Sequence, residues 1–269
     1  MTVGVVIITA ERDEHLTRVL RALAAQHRPA DRVVVVDMAD ARPTIARAPL
    51  SVARVVVEPV DGVLPLGAAR NAGAAHLDCD VLAFLDVDCI PGPAFVADHA
   101  GALAAHGDAL ACGRVRYLRA GWHTAGPGHD LDELSAPHPA RPAPARDELD
   151  TDRHELFWSL NFAVRSATWD RLGGFDTGYR GYGAEDTDLG LRARRLGIPL
   201  LWVAGAGVYH QWHPPTRLDP ARRDEIVANA RRFRERWGTW PMTGWLDELA
   251  AAGVVRWDPA ADLLELVAP

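Results

Sequence analysis

The 269-residue chain is 48% hydrophobic, enough to bury a full core as one large domain or two small ones. Its formal net charge of −7 provides no basic field for displacing counterions from nucleic acid, which excludes that class of partner. All 29 basic residues are arginine, which excludes chemistry built on a Schiff-base lysine or a P-loop lysine. Val3 to Thr9 is a strand apolar on both faces. Leu16, Val19, Leu20 and Leu23 then fall on one face of a helix that starts at Asp13 and Glu14 and ends before Pro29. Val33 to Asp37 is a second strand ending in a carboxylate, and Val52 to Val57 a third. This alternation predicts an α/β fold, an open, mostly parallel sheet with helices on both faces and right-handed crossovers.

Gly67 to Gly73 opens a helix that carries Arg70. Its planar guanidinium could reach a pyrophosphate, although on an Ala-rich helix the plainer reading is a surface arginine. No Gly-x-Gly-x-x-Gly follows the first strand, which speaks against a nicotinamide or flavin site. The next stretch, Val81-Leu82-Ala83-Phe84-Leu85-Asp86-Val87-Asp88, organises the rest. An apolar run leads straight into two carboxylates that share a side if the strand continues. At the carboxyl end of a central strand they stand where open α/β sheets bind ligands. Two hard oxygen ligands suit Mn2+ or Mg2+ and the phosphates those ions carry. A strand followed by a turn, with Asp88 as a cap, is the plainer alternative.

Phe95, Val96, His99 and Leu103 pattern a helix, and Ala109 to Val115 a strand. From Arg119 to Glu155 the chain is rich in proline and acids and poor in large apolar groups. It reads as a long mobile excursion, with His123, His129, His138 and His154 at no regular metal-ligand spacing. Phe157 to Arg165 reads as a strand, and a short helix leads to the turn Gly173-Gly174-Phe175-Asp176. Gly181-Tyr182-Gly183-Ala184 then introduces a helix with Glu185 and Asp186 in its first turn and Leu189, Ala193 and Leu196 as its buried stripe. Two acids are ordinary at a helix start. Adjacent residues point about 100° apart, however, so the two cannot do the same job.

Leu200 to Val203 is a strand, and Gly207 to His213 carries His210 and His213 ahead of two prolines. Ile226, Ala230, Phe233 and Trp237 stripe a further helix. A short helix near Leu246 and a hairpin of Val254–Trp257 with Leu263–Val267 finish the chain. Cys79, Cys89 and Cys112 form no metal-type spacing and fit reduced thiols. There is no run of roughly 18 apolar residues and no basic, cleavable leader, which predicts a soluble, cytoplasmic protein with no transmembrane segment.

The ordered set of Asp37, Arg70, Phe84-Leu85-Asp86-Val87-Asp88, Gly173-Gly174-Phe175-Asp176, Gly181 to Leu189 and Tyr209-His210 resembles the GT-A glycosyltransferases. The N-terminal half is similar to family two. The C-terminal half is similar to the segment shared by β-1,4-galactosyltransferases and polypeptide N-acetylgalactosaminyltransferases. The resemblance covers roughly residues 3 to 212. It implies a GT-A domain over 1–212, with a nucleotide-binding half over 1–115 and an acceptor and catalytic half over 156–212 on either side of the 119–155 loop. Residues 213–269 would form an extension packed on it.

It also implies roles. Asp37 would contact uracil or ribose and Arg70 the nucleotide, with Thr9, Glu11 and Val87 in the same site. Asp86 would hold the ribose or the metal, Asp88 the metal, and His210 the metal from the far side, with His213 as the alternative ligand. Asp186 would be the catalytic base, and Glu185, Trp158, Asn161 and Gly183 would bind the acceptor. Met38-Ala39 stand where the family has a second acid and a small residue, and Trp158-Ser159-Leu160 replace small residues before Asn161. The implied activity is metal-dependent, inverting transfer of a sugar from a nucleotide-diphosphate sugar, UDP-linked, to an acceptor hydroxyl on a glycan, lipid or small molecule. A nucleotidyltransferase would want a basic Gly-rich loop where Thr9-Ala10-Glu11-Arg12 stands, and a non-catalytic sugar-nucleotide module would have no need of Asp186.

Overall fold

A computed structural model describes residues 1–39, 49–125, 130–214 and 216–267. His129 and the prolines at 127 and 215 lie outside them. The strands are β1 (Val3–Thr9), β2 (Arg32–Asp37), β3 (Ala53–Val56), β4 (Val81–Asp86), β5 (Cys89–Pro91), β6 (Leu110–Leu118), β7 (Ser135–Pro137), β8 (Glu148–Asp150), β9 (Asn161–Arg165), β10 (Leu200–His210), β11 (Val255–Asp258) and β12 (Leu263–Leu266). The helices are α1 (Asp13–Ala24), α2 (Leu66–Ala75), α3 (Phe95–His106), α4 (Ser166–Leu172), α5 (Glu185–Arg195), α6 (Pro220–Trp237) and α7 (Thr243–Ala251).

The central sheet runs β3-β2-β1-β4-β9-β6-β10-β5, with β7 added on β6 and β8 on β10. β1 pairs in parallel with β2 and β4, β2 with β3, and β6 with β10, while β9 runs antiparallel to β4 and β6. The sheet is mostly parallel, as the strand–helix alternation predicts. Because side chains alternate along a strand, β1 splits between two cores. Val3, Val5 and Ile7 face a layer with Leu16, Val19, Phe95 and Leu103 of α1 and α3. Val6 and Ile8 face a second layer with Ala69, Trp169 and Leu189 of α2, α4 and α5. At Gly73 an added Cβ would run into Val6 and Val36, so its bare backbone lets α2 lie directly on β1 and β2.

Four expectations need correction. The strand over 157–165 begins only at Asn161. Leu196 is the cap of α5 and is 45% exposed, so it lies outside the buried stripe. The two pieces read over 200–213 form one strand, β10, whose register on β6 shifts between Val203 and Val208, where Ala206 adopts φ +42°. The 119–155 excursion also makes more contacts than its composition suggests. It supplies β7 and β8, buries Leu134, Arg141, Asp150 and His154, and accepts the Trp202 indole N–H on Asp150 at 2.9 Å. Its proline spacing hid strands only three residues long.

Residues 220–266 build their own small core from Ile226, Val227, Ala230, Leu246, Leu249, Val255 and Leu264. Asp188 of α5 ties this extension to the sheet domain, accepting from the Trp237 indole at 2.9 Å and from Tyr179 at 3.3 Å. Cys79, Cys89 and Cys112 are buried and unpaired. Among the described residues no helix is long and apolar enough to cross a membrane.

Candidate active site

The parallel register sets Thr9 opposite Asp37 and Ile8 opposite Asp86, so β1, β2 and β4 deliver a row of polar groups to one edge. Asp37 is fully buried and pairs with Arg54 at 2.6 Å. Thr9 is buried beside it, while Glu11 is exposed with φ +51°.

The two aspartates of the organising stretch part company. β4 ends at Asp86, and the chain bends through buried Val87 before β5 begins at Cys89. Asp86 accepts from Arg70 Nη2 at 2.9 Å. Asp88 instead faces the end of β10, its carbonyl accepting the Gln211 N–H at 2.6 Å. Its carboxylate lies 3.6 Å from His210 Nε2, 3.7 Å from His213 Nε2 and 2.8 Å from Arg12 Nη1. Burial pushes the Asp88 carboxyl up, but His210, Arg12 and His213 outweigh it and hold it below the usual carboxylate range.

One carboxylate oxygen and two imidazole nitrogens, all within 4.8 Å of one another, form a donor set that a divalent cation can use. Asp88, His210 and the alternative ligand His213 are brought together, while Asp86, also expected to hold a metal, is engaged by Arg70.

Arg70 is a buried bridge, with no exposed face for a nucleotide. Its Nη1 donates to Glu185 Oε1 at 3.2 Å, and its guanidinium sits 5.2 Å from the Phe175 ring. Glu185 is buried and its Oε2 has no hydrogen-bond partner among the described residues. Burial, and then the neighbouring Asp186 charge, push the Glu185 carboxyl up to about 7. Asp186 is half-buried, as expected of a group reached from a cleft. Burial raises its carboxyl, against the backbone N–H groups of Thr187 and Ser159 that donate to it. The Thr187 bond is 2.7 Å. Such a carboxylate, held by backbone donors at a helix start, can take a proton from a hydroxyl.

Gly183 adopts φ +105°, and an added Cβ would sit 2.8 Å from Met242 Sδ, so only glycine fits between α5 and the extension. Trp158 is half-buried with its ring 5.6 Å from the Arg141 guanidinium. Asn161 takes up an inward position, away from the cleft residues. Its amide donates to the carbonyls of Ala206 at 2.9 Å and Arg114 at 3.3 Å, and its oxygen meets His99 Nε2 at 2.9 Å. Both amide hydrogens and one lone pair of the amide oxygen are taken by the protein, and the residue is fully buried.

Three further residues stand beside these groups without a role assigned from the sequence. Arg12 stands just past β1, a place that is itself a usable signal, and donates to Asp88 at 2.8 Å. Tyr182 is 36% exposed along its length, with its hydroxyl end desolvated and raised further by the charges of Asp88, Glu185, Asp186 and Asp86. Its ring stacks on Trp245 of α7 at 5.3 Å. Tyr117 reaches the cleft because the parallel register of β6 and β10 sets it opposite His210, with ring centroids 4.9 Å apart.

The sequence profile described as glycosyl transferase family 2 matches residues 4–169, more than half the chain. This chain belongs to that family. It is therefore an enzyme of the glycosyltransferase class. A second profile, described as the N-terminal domain of galactosyltransferase, matches residues 150–212, which carry Asp186 and His210. Two curated relatives are both validoxylamine A glucosyltransferases. One from Streptomyces hygroscopicus subsp. limoneus is 31% identical over 86% of this chain and 55% of its own length. The other, from subsp. jinggangensis, is 30% identical over 62% of this chain and 44% of its own length. The family 2 chain thus spans about half the length of these relatives.

Among solved structures, S. aureus TarS 1-349 in complex with UDP-GlcNAc aligns with a TM-score of 0.63 at 15% identity, over 87% of this chain and 67% of that one. GalNAc-T7 with UDP, GalNAc and Mn2+ aligns with a TM-score of 0.62 at 15% identity, over 94% of this chain and 57% of that one. At these identities the likeness is one of fold, the GT-A glycosyltransferase fold.

Proposed function

We propose that this family 2 domain is a metal-dependent, inverting glycosyltransferase that moves a sugar from a UDP-sugar to an acceptor hydroxyl. The observation that carries the reading is the presence of two different carboxylate sites joined through the Asp86–Arg70–Glu185 bridge. Asp88 with His210 and His213 is one, and Asp186 at the start of α5 is the other.

Asp88, His210 and His213 would hold Mn2+ or Mg2+, which when bound stabilises charge on a departing diphosphate without a protonated acid. Arg12, 2.8 Å from Asp88, adds a fixed cation at the same end of the cleft. Asp37 and Thr9 line the edge where the uridine would lie, as sheets of this kind bind nucleotides at their carboxyl ends. Arg70 holds Asp86 and Glu185 in register from beneath. Asp186 takes the proton of the acceptor hydroxyl, and Glu185, whose Oε2 the Arg70 contact leaves without a partner among the described residues, orients the acceptor beside it. A single base opposite one leaving group gives direct displacement and inversion at the anomeric carbon.

The domain spans only part of the relatives that bear the glucosyltransferase name, so glucose is the first donor sugar to try and validoxylamine A the first acceptor. A panel of nucleotide sugars with Mn2+, with and without validoxylamine A, tests the reading. Product anomers are assigned by NMR. Transfer from a UDP-sugar with inverted configuration is expected. Turnover indifferent to EDTA, or a product of retained configuration, overturns it.

A further inference from the structure

Two chains of contact run between Asp88 and Asp186, and they are chemically unlike. One is charged, passing from Asp88 along the bend to Asp86, through Arg70 to Glu185, and on to its neighbour Asp186. The other is aromatic. From Asp88 it passes to His210 at 3.6 Å, and from that ring to Tyr117, with centroids 4.9 Å apart. Tyr117 lies 5.7 Å from His138, which meets Trp158 edge-on at 4.8 Å. The residue after Trp158 is Ser159, whose backbone N–H donates to Asp186.

Of the four aromatic members, three come from sheet strands or the approach to β9, and their positions follow from strand register. His138 comes from the 119–155 excursion, just past β7, which is hydrogen-bonded to β6. Its Nδ1 accepts the N–H of Ala140 at 3.2 Å. That bond fixes the neutral tautomer with the proton on Nε2. Burial, and then the Arg141 charge, lower its affinity for a second proton. The Nε2–H meets no acceptor among the described residues. An imidazole with one nitrogen tied down and the other a free donor, in an aromatic row along a cleft, is equipped to read a hydroxyl-bearing ring.

Resting on the UDP-sugar reading above, we infer that His210, Tyr117, His138 and Trp158 form the platform on which the transferred sugar lies, and that His138 is its specificity-determining residue. The reacting sugar must span the distance between its diphosphate, at the Asp88 end, and the acceptor hydroxyl, at Asp186. A pyranose has one face of C–H groups and a rim of hydroxyls. Aromatic side chains suit the first, and a few placed polar groups fix the second. The aromatic arc takes the C–H face, the partly exposed carboxylates Asp86 and Asp186 of the charged arc take rim hydroxyls, and the His138 Nε2–H donates to one hydroxyl from the excursion side.

The test separates the sugar from the nucleotide. UDP and UDP-glucose are titrated with Mn2+ into the wild type, His138→Ala and His138→Phe, with thermal unfolding as the check on folding. His138→Ala is expected to weaken UDP-glucose roughly 10-fold, the size of one good contact, while UDP changes less than about 2-fold. His138→Phe, which keeps the ring but not the donor, should recover part of the loss. Equal weakening of UDP and UDP-glucose, or a UDP-glucose affinity unmoved by His138→Ala, overturns the platform while leaving the donor reading intact. A wild type that binds neither compound overturns the donor reading itself, and the platform with it.

Discussion

Arg70 Nη1 donates to Glu185 Oε1 at 3.2 Å, and this buried contact joins the end of β4 to the start of α5 through Asp86 on the same guanidinium. Asp86 lies 16 and Glu185 115 chain positions from Arg70, and the arginine fork reaches both at once. Removing it should leave Asp86 and Glu185 facing each other without a cation. Breaking a buried pair by deleting one partner costs about 3–5 kcal/mol. Arg70→Met is therefore expected to lose that much in urea unfolding. Arg70→Lys should fall between, since a point charge cannot satisfy both sites. A loss below about 1 kcal/mol for Arg70→Met would show that the bridge is dispensable.

The Glu185 carboxyl gives a pH signature. Burial and Asp186 raise it from 4.5 to about 7, so the folded chain holds its proton more tightly than the unfolded chain does. Stability from this group is then fully present below pH 4.5 and is lost as pH rises through 7. Glu185→Gln lacks the titration. The melting temperature of the variant should therefore gain on the wild type between pH 4.5 and 8, by an amount on the order of 1–3 kcal/mol in unfolding free energy. A difference that stays flat across that range would place the Glu185 titration elsewhere.

Much of this was legible in the chain. Apolar runs ending in Asp37 and Asp86 located β2 and β4 and the sheet edge at which their carboxylates emerge, because continuous hydrophobicity marks strands covered on both faces. Glu185 and Asp186 were placed correctly at a helix start by the glycines before them. What could not be read was set by distant contacts. Period two put Asp86 and Asp88 on one side, but the strand stops at Asp86, and Gln211 pulls the bend toward β10. Asn161 looked available to a ligand until the irregular β10 at Ala206 supplied a carbonyl for its amide. Short β7 and β8 exist only because β6 and β10 offer edges to pair with, which composition does not record.

The cation site yields a direct expectation. Two histidines and one carboxylate are few ligands for Mn2+ or Mg2+, ions that prefer additional oxygen donors. Calorimetric titration with Mn2+ alone should give weak binding, and UDP should strengthen it markedly. Asp88→Asn should abolish the enhancement. His210→Ala and His213→Ala should each reduce it, and whichever variant keeps wild-type Mn2+ affinity is not a ligand.

Asp188 makes a separate prediction about the extension. Its fully buried carboxylate accepts from Trp237 and Tyr179 and from Arg192 Nε at 2.9 Å. Asp188→Ala strands three donors at once and should cost about 3–5 kcal/mol. Trp237→Phe removes one bond and should cost about 1 kcal/mol. Limited proteolysis should then cut the 213–269 segment faster in Asp188→Ala than in Trp237→Phe, and equal rates would mean that Asp188 does not dock it.

In the proposed reaction the proton transfer rests on Asp186. Its neighbour Glu185 is committed to Arg70, so only Asp186, half-exposed and held by the N–H groups of Thr187 and Ser159, faces an incoming hydroxyl. Those donors favour the ionised form that a base requires, and they oppose the burial that raises its carboxyl. Loss of a positioned base typically costs 10²–10⁴ in rate. Asp186→Asn keeps the shape and removes the charge, so kcat should fall by about that factor while UDP-sugar affinity stays within about 2-fold of wild type. Glu185→Gln should instead act mainly on the acceptor KM. If Asp186→Asn kept more than about a tenth of wild-type kcat, the proton would have to leave by another group, and Glu185 would be the next carboxylate to test.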